Sequence, residues 1–134
     1  MSSTRSASEA TAPPRGAVRV LTVDDDPTYL RVAREVVSAT PGFEPVGEAT
    51  TGEAALSLVP VLRPQLVLMD VRMPGIGGIE AARRLAQTAG ERIAVILMSA
   101  DAHLLGSVLP PLGALGVVRK DRLSPAALRA LWQR

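Results

Sequence analysis

The order of apolar and polar residues divides the chain into two alternating kinds of segment. One kind is a short run of almost uniformly apolar residues, which is typical of strands buried on both faces of a sheet. The other kind carries apolar residues three or four positions apart, the period of a helix with one buried face. The pattern predicts five strands, at Val18–Val23, Phe43–Ala49, Leu66–Met69, Ile93–Met98 and Gly116–Val118.

Helical segments follow each of these strands, and local signals mark where several of them begin or end. A Thr50-x-x-Glu53 capping box opens the second helix, and Pro64 follows its end. The fourth helix is short because Pro110-Pro111 must end it. The predicted helices are about Pro27–Ala39, the stretch after Thr50, the stretch around Ile79–Leu85, Asp101–Leu109, and the stretch after the Ser124 cap and Pro125.

This alternation predicts an α/β fold. Parallel strands need crossover connections, which are right-handed in nearly all proteins, so the expected architecture is an open, doubly wound parallel sheet with helices on both faces. Residues 1–16 are rich in Ser, Thr, Ala and Pro without a hydrophobic period, which predicts a disordered tail. Residues 17–134 then form a single domain.

Composition and charge exclude several classes of protein. The chain contains no Cys, which excludes disulfides and thiolate metal sites and fits the cytoplasm. Its longest apolar stretch, Ile93–Met98, is far too short for a membrane span, and residues 1–16 lack the apolar core of a signal peptide. The net charge is only +2 and the Arg residues are scattered among acids, so we expect no direct binding of nucleic acid.

Charged and polar residues follow four of the five predicted strands. Because ligands in such sheets bind outside the carboxyl ends of the strands, these positions form the candidate site. Clustered carboxylates repel one another unless a hard cation joins them, and Mg²⁺ prefers oxygen ligands and often shares them with phosphate. The sequence therefore predicts a Mg²⁺ site with phosphoryl chemistry. The residues are Asp24, Asp25 and Asp26 after the first strand, Asp70 after the third, Ser99 after the fourth and Lys120 after the fifth.

Ser99 and Lys120 extend this chemistry. A Ser hydroxyl can donate a hydrogen bond to a phosphoryl oxygen, and a Lys ammonium supplies a compact positive charge. Lys120 is the only Lys, whereas 14 residues are Arg. We interpret the single Lys at a strand end as a requirement of the site, since the planar guanidinium of Arg differs in shape and reach.

The motifs VDDDP, LMDVRMPG, LMSA and VVRKD occur in the order and spacing of the response-regulator receiver family of two-component signalling, and the chain resembles that family from Ala17 to Arg134. The resemblance implies a flavodoxin-like (βα)5 fold with strand order 2-1-3-4-5, like the chemotaxis response regulator. It also implies a phosphoacceptor switch rather than an enzyme. The dipeptide Lys120-Asp121 resembles receivers joined to LuxR-type DNA-binding output domains.

The same resemblance assigns roles to the candidate site residues. Asp70 is similar to the phosphoacceptor, which takes a phosphoryl group from a sensor histidine kinase or a phosphotransfer protein. Asp25 is similar to the direct Mg²⁺ ligand, Asp24 to the carboxylate that acts through water, and Arg72 to the residue whose backbone carbonyl completes the metal shell. The resemblance makes Ser99 the switch hydroxyl and Lys120 the ammonium that contacts the phosphoryl group.

Phosphorylation is expected to act on the face made by the predicted Asp101–Leu109 helix, the fifth strand and the last helix, the α4-β5-α5 face. This face can also carry a dimer contact. Two positions differ from the family pattern: Val117 replaces the usual aromatic residue three positions before the Lys, and Gly77 replaces a frequent Asp. Val cannot swing a large ring between two rotamers, so signal transmission is expected to differ.

Two other functions remain open on the sequence. Asp24-x-Asp26-x-Thr28 after an apolar strand also fits the first motif of a haloacid-dehalogenase-like phosphatase with Asp24 as nucleophile, although that function leaves Asp70 unexplained. Val117 and the short fourth helix fit a receiver-like interaction module that is not phosphorylated. Asp26 is interpreted as a helix cap, Tyr29 as a packing residue, and His103 is given no role.

Overall fold

Five parallel strands form one sheet in the computed structural model, which describes residues 16–89, 92–101 and 114–133. The strand order is β2-β1-β3-β4-β5, so the predicted flavodoxin-like topology is confirmed. The strands are β1 (Val18–Val23), β2 (Phe43–Ala49), β3 (Leu66–Asp70), β4 (Ala94–Ser99) and β5 (Ala114–Arg119). The helices are α1 (Pro27–Ala39), α2 (Gly52–Leu62), α3 (Gly77–Ala89) and the C-terminal helix (Pro125–Trp132), which follows a 3-10 turn (Lys120–Arg122).

The predicted segments agree with these bounds to within a few residues. β1, α1 and β2 have the predicted bounds, and β5 is longer at both ends than the predicted Gly116–Val118. Of the predicted Asp101–Leu109 helix only Asp101 lies among the described residues, and Pro110-Pro111 lie outside them. The predicted tail, residues 1–16, lies outside them apart from Gly16.

The two faces of the sheet bury separate apolar clusters. Successive side chains of a strand point to opposite faces, so Val67 and Met69 join one cluster while Leu66 and Leu68 join the other. The first cluster packs under α2 and α3, and the second under α1 and the C-terminal helix, which contribute Val37 and Leu128. Burial on both faces explains why these strands are almost uniformly apolar.

The start of α2 corrects one prediction. The N-cap is Thr51, whose side chain accepts a hydrogen bond from the Ala54 amide at 3.0 Å, and not Thr50. Either threonine can cap a helix, and in the structure Thr51 does so. Gly52 lies so close to α3 and the loop before it that an added Cβ would be 2.8 Å from Ile76 Cγ1. α2 ends at Leu62, before Pro64 as predicted.

The helices are short relative to a bilayer. α1 and α3 contain 13 residues each, whereas a membrane-spanning helix needs about 20 apolar residues. Within the described parts of the chain, no helix has the length and apolar character to cross a membrane.

The topology brings the predicted site residues to one edge. All five strands run parallel, so their carboxyl ends share that edge, and β1 lies between β2 and β3 where the chain reverses its order across the sheet. This is the position at which doubly wound sheets bind ligands. Asp70 and Ser99 are the last residues of β3 and β4, Asp24 follows β1 directly, and Lys120 follows β5.

Candidate functional site

The loop after β1 presents three acids in three different environments. Asp24 is fully buried, and its Oδ1 accepts a hydrogen bond from the Asp26 amide at 2.9 Å. Asp26 is the N-cap of α1, where its Oδ1 accepts from the Thr28 amide at 3.0 Å. The interpretation of Asp26 as a cap is therefore confirmed. Asp25 is exposed. Because Asp26 serves as a helix cap, Asp24 and Asp25 are the two acids of this loop that remain candidates for the metal site.

Asp70 closes a strand in which every residue is buried, and the residue itself is only 4% exposed. Its Oδ1 accepts a hydrogen bond from the Arg72 amide at 3.3 Å. Three carboxylate oxygens, one from each of Asp24, Asp25 and Asp70, lie within 4.8 Å of one another. Three carboxylates at this separation form a donor set of the kind that a hard divalent cation prefers.

Two glycines, Gly77 and Gly78, start α3 close to the end of β3 that carries Asp70. Gly77 begins α3 with φ of 75°, a left-handed conformation that Asp or any other L residue adopts only with strain. Gly78 then approaches the strand so closely that an added Cβ would overlap the Asp70 carbonyl oxygen.

Lys120, which follows β5, lies beside two of these acids. Its Nζ lies 2.6 Å from Asp24 Oδ2 and 3.2 Å from Asp70 Oδ2. Its side chain is only 16% exposed, so this pairing is shielded from water. One ammonium therefore compensates part of the charge of two buried carboxylates.

The sequence interpretation missed the environment of Tyr29. The sequence predicts a packing residue, and Tyr29 does pack on the second apolar cluster. Its hydroxyl also donates a hydrogen bond of 2.8 Å to the Lys120 carbonyl, and Lys120 Nζ lies 4.8 Å from the centre of its ring. The two residues are 91 positions apart, and no local signal indicates their contact.

Ser99 lies at the same edge with its hydroxyl engaged locally. The hydroxyl donates to the Asp101 carbonyl at 3.0 Å and accepts from the Asp101 amide at 3.1 Å. Ser99, Asp70 and Lys120 line one open cavity of about 600 Å³, together with Arg72 and residues of the neighbouring loops. A larger cavity of about 1040 Å³ lies between α2 and α3 and contains none of the predicted site residues.

The charges of the cluster alter its protonation. Burial, and next the charge of Asp24, raise the pKa of Asp70 from 3.8 to about 6, although Lys120 and the Arg72 amide act in the opposite direction. Burial acts to lower the pKa of Lys120, but hydrogen bonds and charges from Asp24 and Asp70 outweigh it and raise that pKa. At neutral pH Asp70 is therefore mainly a carboxylate and Lys120 an ammonium, in a site that holds excess negative charge.

Comparison with known proteins identifies the class. Residues 20–131 match the family model of the response regulator receiver domain, and the chain belongs to this family. The match favours the receiver over the phosphatase alternative, whose nucleophile would be Asp24.

Similar proteins are longer than this chain. The chain is 43% identical over 82 residues to a protein-glutamate methylesterase/protein-glutamine glutaminase of a Nocardioides species, covering 61% of this chain and 22% of that protein. It is 35% identical over 103 residues to the response regulator GacA of Pseudomonas aeruginosa, covering 77% of this chain and 48% of GacA. The chain thus spans less than half the length of these relatives.

A solved structure matches the described fold over nearly its whole length. The signal receiver domain of the putative response regulator NarL from Mycobacterium tuberculosis superimposes with a TM-score of 0.73 at 31% identity, covering 88% of this chain and 98% of that one.

Proposed function

We propose that this receiver accepts a phosphoryl group on Asp70 from a sensor histidine kinase or phosphotransfer protein, in a Mg²⁺-dependent reaction. One observation carries the proposal: at the carboxyl ends of the strands, the Asp24, Asp25 and Asp70 carboxylates lie together with the Lys120 ammonium. A single acid at a strand end is common, but this combination supplies a nucleophile, a metal site and a cation together.

The donor set fits Mg²⁺. The proposed ligands are Asp25 and Asp70 directly, Asp24 through water, and the backbone carbonyl of Arg72. Oxygen donors with several retained waters are what Mg²⁺ prefers, and the exposed Asp25 leaves room for that water. When bound, Mg²⁺ neutralises the carboxylates and the oxygens of the incoming phosphoryl group.

The chain's own residues then have separate roles in the transfer. A carboxylate oxygen of Asp70 attacks the phosphorus of a phosphohistidine; the O–P bond forms, the N–P bond breaks, and its electron pair stays on the imidazole. Lys120 is already held 3.2 Å from Asp70 Oδ2 and can follow the phosphoryl charge. Ser99 can exchange its bonds to Asp101 for one to a phosphoryl oxygen. Catalysis of this kind depends on positioning and charge.

The consequence of phosphorylation is proposed to be a shift of the α4-β5-α5 face. Added negative charge at Asp70 draws Ser99 and Lys120 inward. Ser99 ends β4, and Lys120 follows β5, which belongs to that face. Val117, half-buried on the first cluster, replaces the usual aromatic residue there. The shifted face would control an output domain or a partner protein, or carry a dimer contact; DNA would be bound only through an output domain.

The remaining properties follow from this role. The domain is a switch that assists its own phosphorylation and dephosphorylation rather than an enzyme with a separate substrate. A histidine kinase donor places it in the cytoplasm. Residues 1–16 are proposed as a solvated tail and 17–134 as the receiver.

The test is phosphorylation by acetyl phosphate with Mg²⁺, followed by intact mass and peptide mapping. We expect one phosphate on Asp70 in the native protein, none in Asp70→Asn, and an undiminished increment in the matched control Asp26→Asn, because Asn also caps a helix. Equal labelling of Asp70→Asn would refute the proposal. Phosphate mapped to Asp24 would favour the phosphatase alternative. No increment in the native protein, with a control receiver labelled, would favour the interaction module.

A further inference from the structure

One contact of the site is not explained by the proposed phosphotransfer. The Tyr29 side chain, in the first turn of α1, reaches the residue that follows β5. Its hydroxyl bonds to the Lys120 backbone, and its ring face lies under the Lys120 ammonium at 4.8 Å. The same residue therefore holds Lys120 by both its main chain and its side chain.

The placement of these contacts follows from the chain path. The loop after β1 carries Asp24 and Asp25, and α1 begins three residues after Asp24, so the acids and Tyr29 belong to one short segment. Lys120 begins a 3-10 turn that has no side-chain cap at its start. The Tyr29 hydroxyl ties this turn to the acid-bearing segment, which fixes where the Lys120 side chain starts.

The ring adds a constraint at the other end of the side chain. A Lys side chain is a flexible four-carbon chain, so an ammonium placed beside two carboxylates needs further contacts to keep one position. An aromatic face attracts a cation, and more strongly where water is excluded. Lys120 Nζ is held by three contacts together: two carboxylates, of Asp24 and Asp70, and the Tyr29 ring.

We propose that Tyr29 is a positioning residue for phosphoryl acceptance, acting through Lys120. It holds the ammonium where the phosphoryl oxygens arrive and does not itself contact them. This inference rests on the proposed function, because the role of Lys120 does.

The test separates the two contacts of Tyr29. Tyr29→Phe keeps the ring and removes the hydroxyl, whereas Tyr29→Leu removes both. With each contact of ordinary strength, we expect Tyr29→Phe to slow phosphorylation by acetyl phosphate and Mg²⁺ about threefold and Tyr29→Leu about tenfold. Phe43→Leu is the matched control, since Phe43 lies in the same apolar cluster but at the start of β2, the opposite end of the sheet.

A spectroscopic signature distinguishes positioning from general stability. Because Lys120 is the only Lys, labelling with ¹³C-lysine produces a single set of side-chain signals. In the native protein and Tyr29→Phe, the ε-methylene signals should show the upfield shift caused by a ring face. In Tyr29→Leu they should move towards free lysine, and in Phe43→Leu they should stay unchanged. Urea unfolding of all variants measures the stability that each loses.

Four results would overturn the inference, and they are separable. Native-like phosphorylation of Tyr29→Leu, or unchanged lysine signals in it, would remove Tyr29 from the mechanism while the native labelling on Asp70 still supports the proposed function. Equal slowing by Phe43→Leu at equal loss of stability would reduce the effect to folding. Absence of phosphate on Asp70 in the native protein would refute the proposed function, and this inference with it.

Discussion

Asp70 is expected to destabilise the metal-free protein at neutral pH. Its pKa is raised from 3.8 to about 6, chiefly by burial and then by the charge of Asp24. A raised pKa in the folded state means that the folded protein holds this proton more tightly than the unfolded chain does. The favourable contribution is therefore complete below pH 4 and is lost as the pH rises through about 6. The difference between 3.8 and about 6 corresponds to about 3 kcal/mol in the free energy of unfolding once both states are fully titrated.

Asp70→Asn removes this charge and should stabilise the protein in a pH-dependent way. In EDTA, the advantage of the variant in free energy of unfolding should be roughly 2 kcal/mol larger at pH 7.5 than at pH 4, where the unfolded carboxyl is already partly ionised. Urea titrations at a series of pH values measure it. Glu35→Gln, at an exposed position of α1, reports the effect of removing a surface carboxylate. An advantage that is the same at both pH values would refute the reasoning that burial and Asp24 oppose ionisation of Asp70.

Three further predictions concern metal binding and packing. Mg²⁺ should raise the melting temperature of the native protein but hardly that of Asp25→Asn, and EDTA should reverse the effect; equal shifts in both would exclude Asp25 as a ligand. Gly78→Ala should cost about 1–3 kcal/mol or more in urea unfolding, because its methyl group would overlap the Asp70 carbonyl; native stability would contradict the close approach. Thr51→Ala should cost about 1 kcal/mol through loss of the α2 cap, and Thr50→Ala much less; the reverse order would restore the capping box predicted from sequence.

Local patterns explain why much of the fold could be predicted. The bounds of β1, α1 and β2 follow from the spacing of apolar residues within each segment. This spacing is visible without knowing what the segment packs against. The α2 start shows the limit of such patterns. Thr50 and Thr51 are chemically equivalent caps, so the local pattern does not distinguish them, and only the structure shows that Thr51 is the cap.

The candidate site shows the same division. Parallel strands bring their carboxyl ends to one edge, so the convergence of Asp24, Asp25, Asp70, Ser99 and Lys120 could be predicted once the strands were recognised. The roles of these residues are still predictions, and phosphorylation tests them.

The sequence by itself determined the order of the described strands and helices to within a few residues, that the sheet is parallel, and which side chains lie at the carboxyl ends of its strands. The tertiary structure decided the contacts between them: that Lys120 pairs with both Asp24 and Asp70, and that Tyr29 lies against Lys120. It also decided that burial makes ionisation of Asp70 costly. The reason is that hydrogen bonds, charge interactions and desolvation depend on distances between segments far apart in the chain, and only the packed sheet sets those distances.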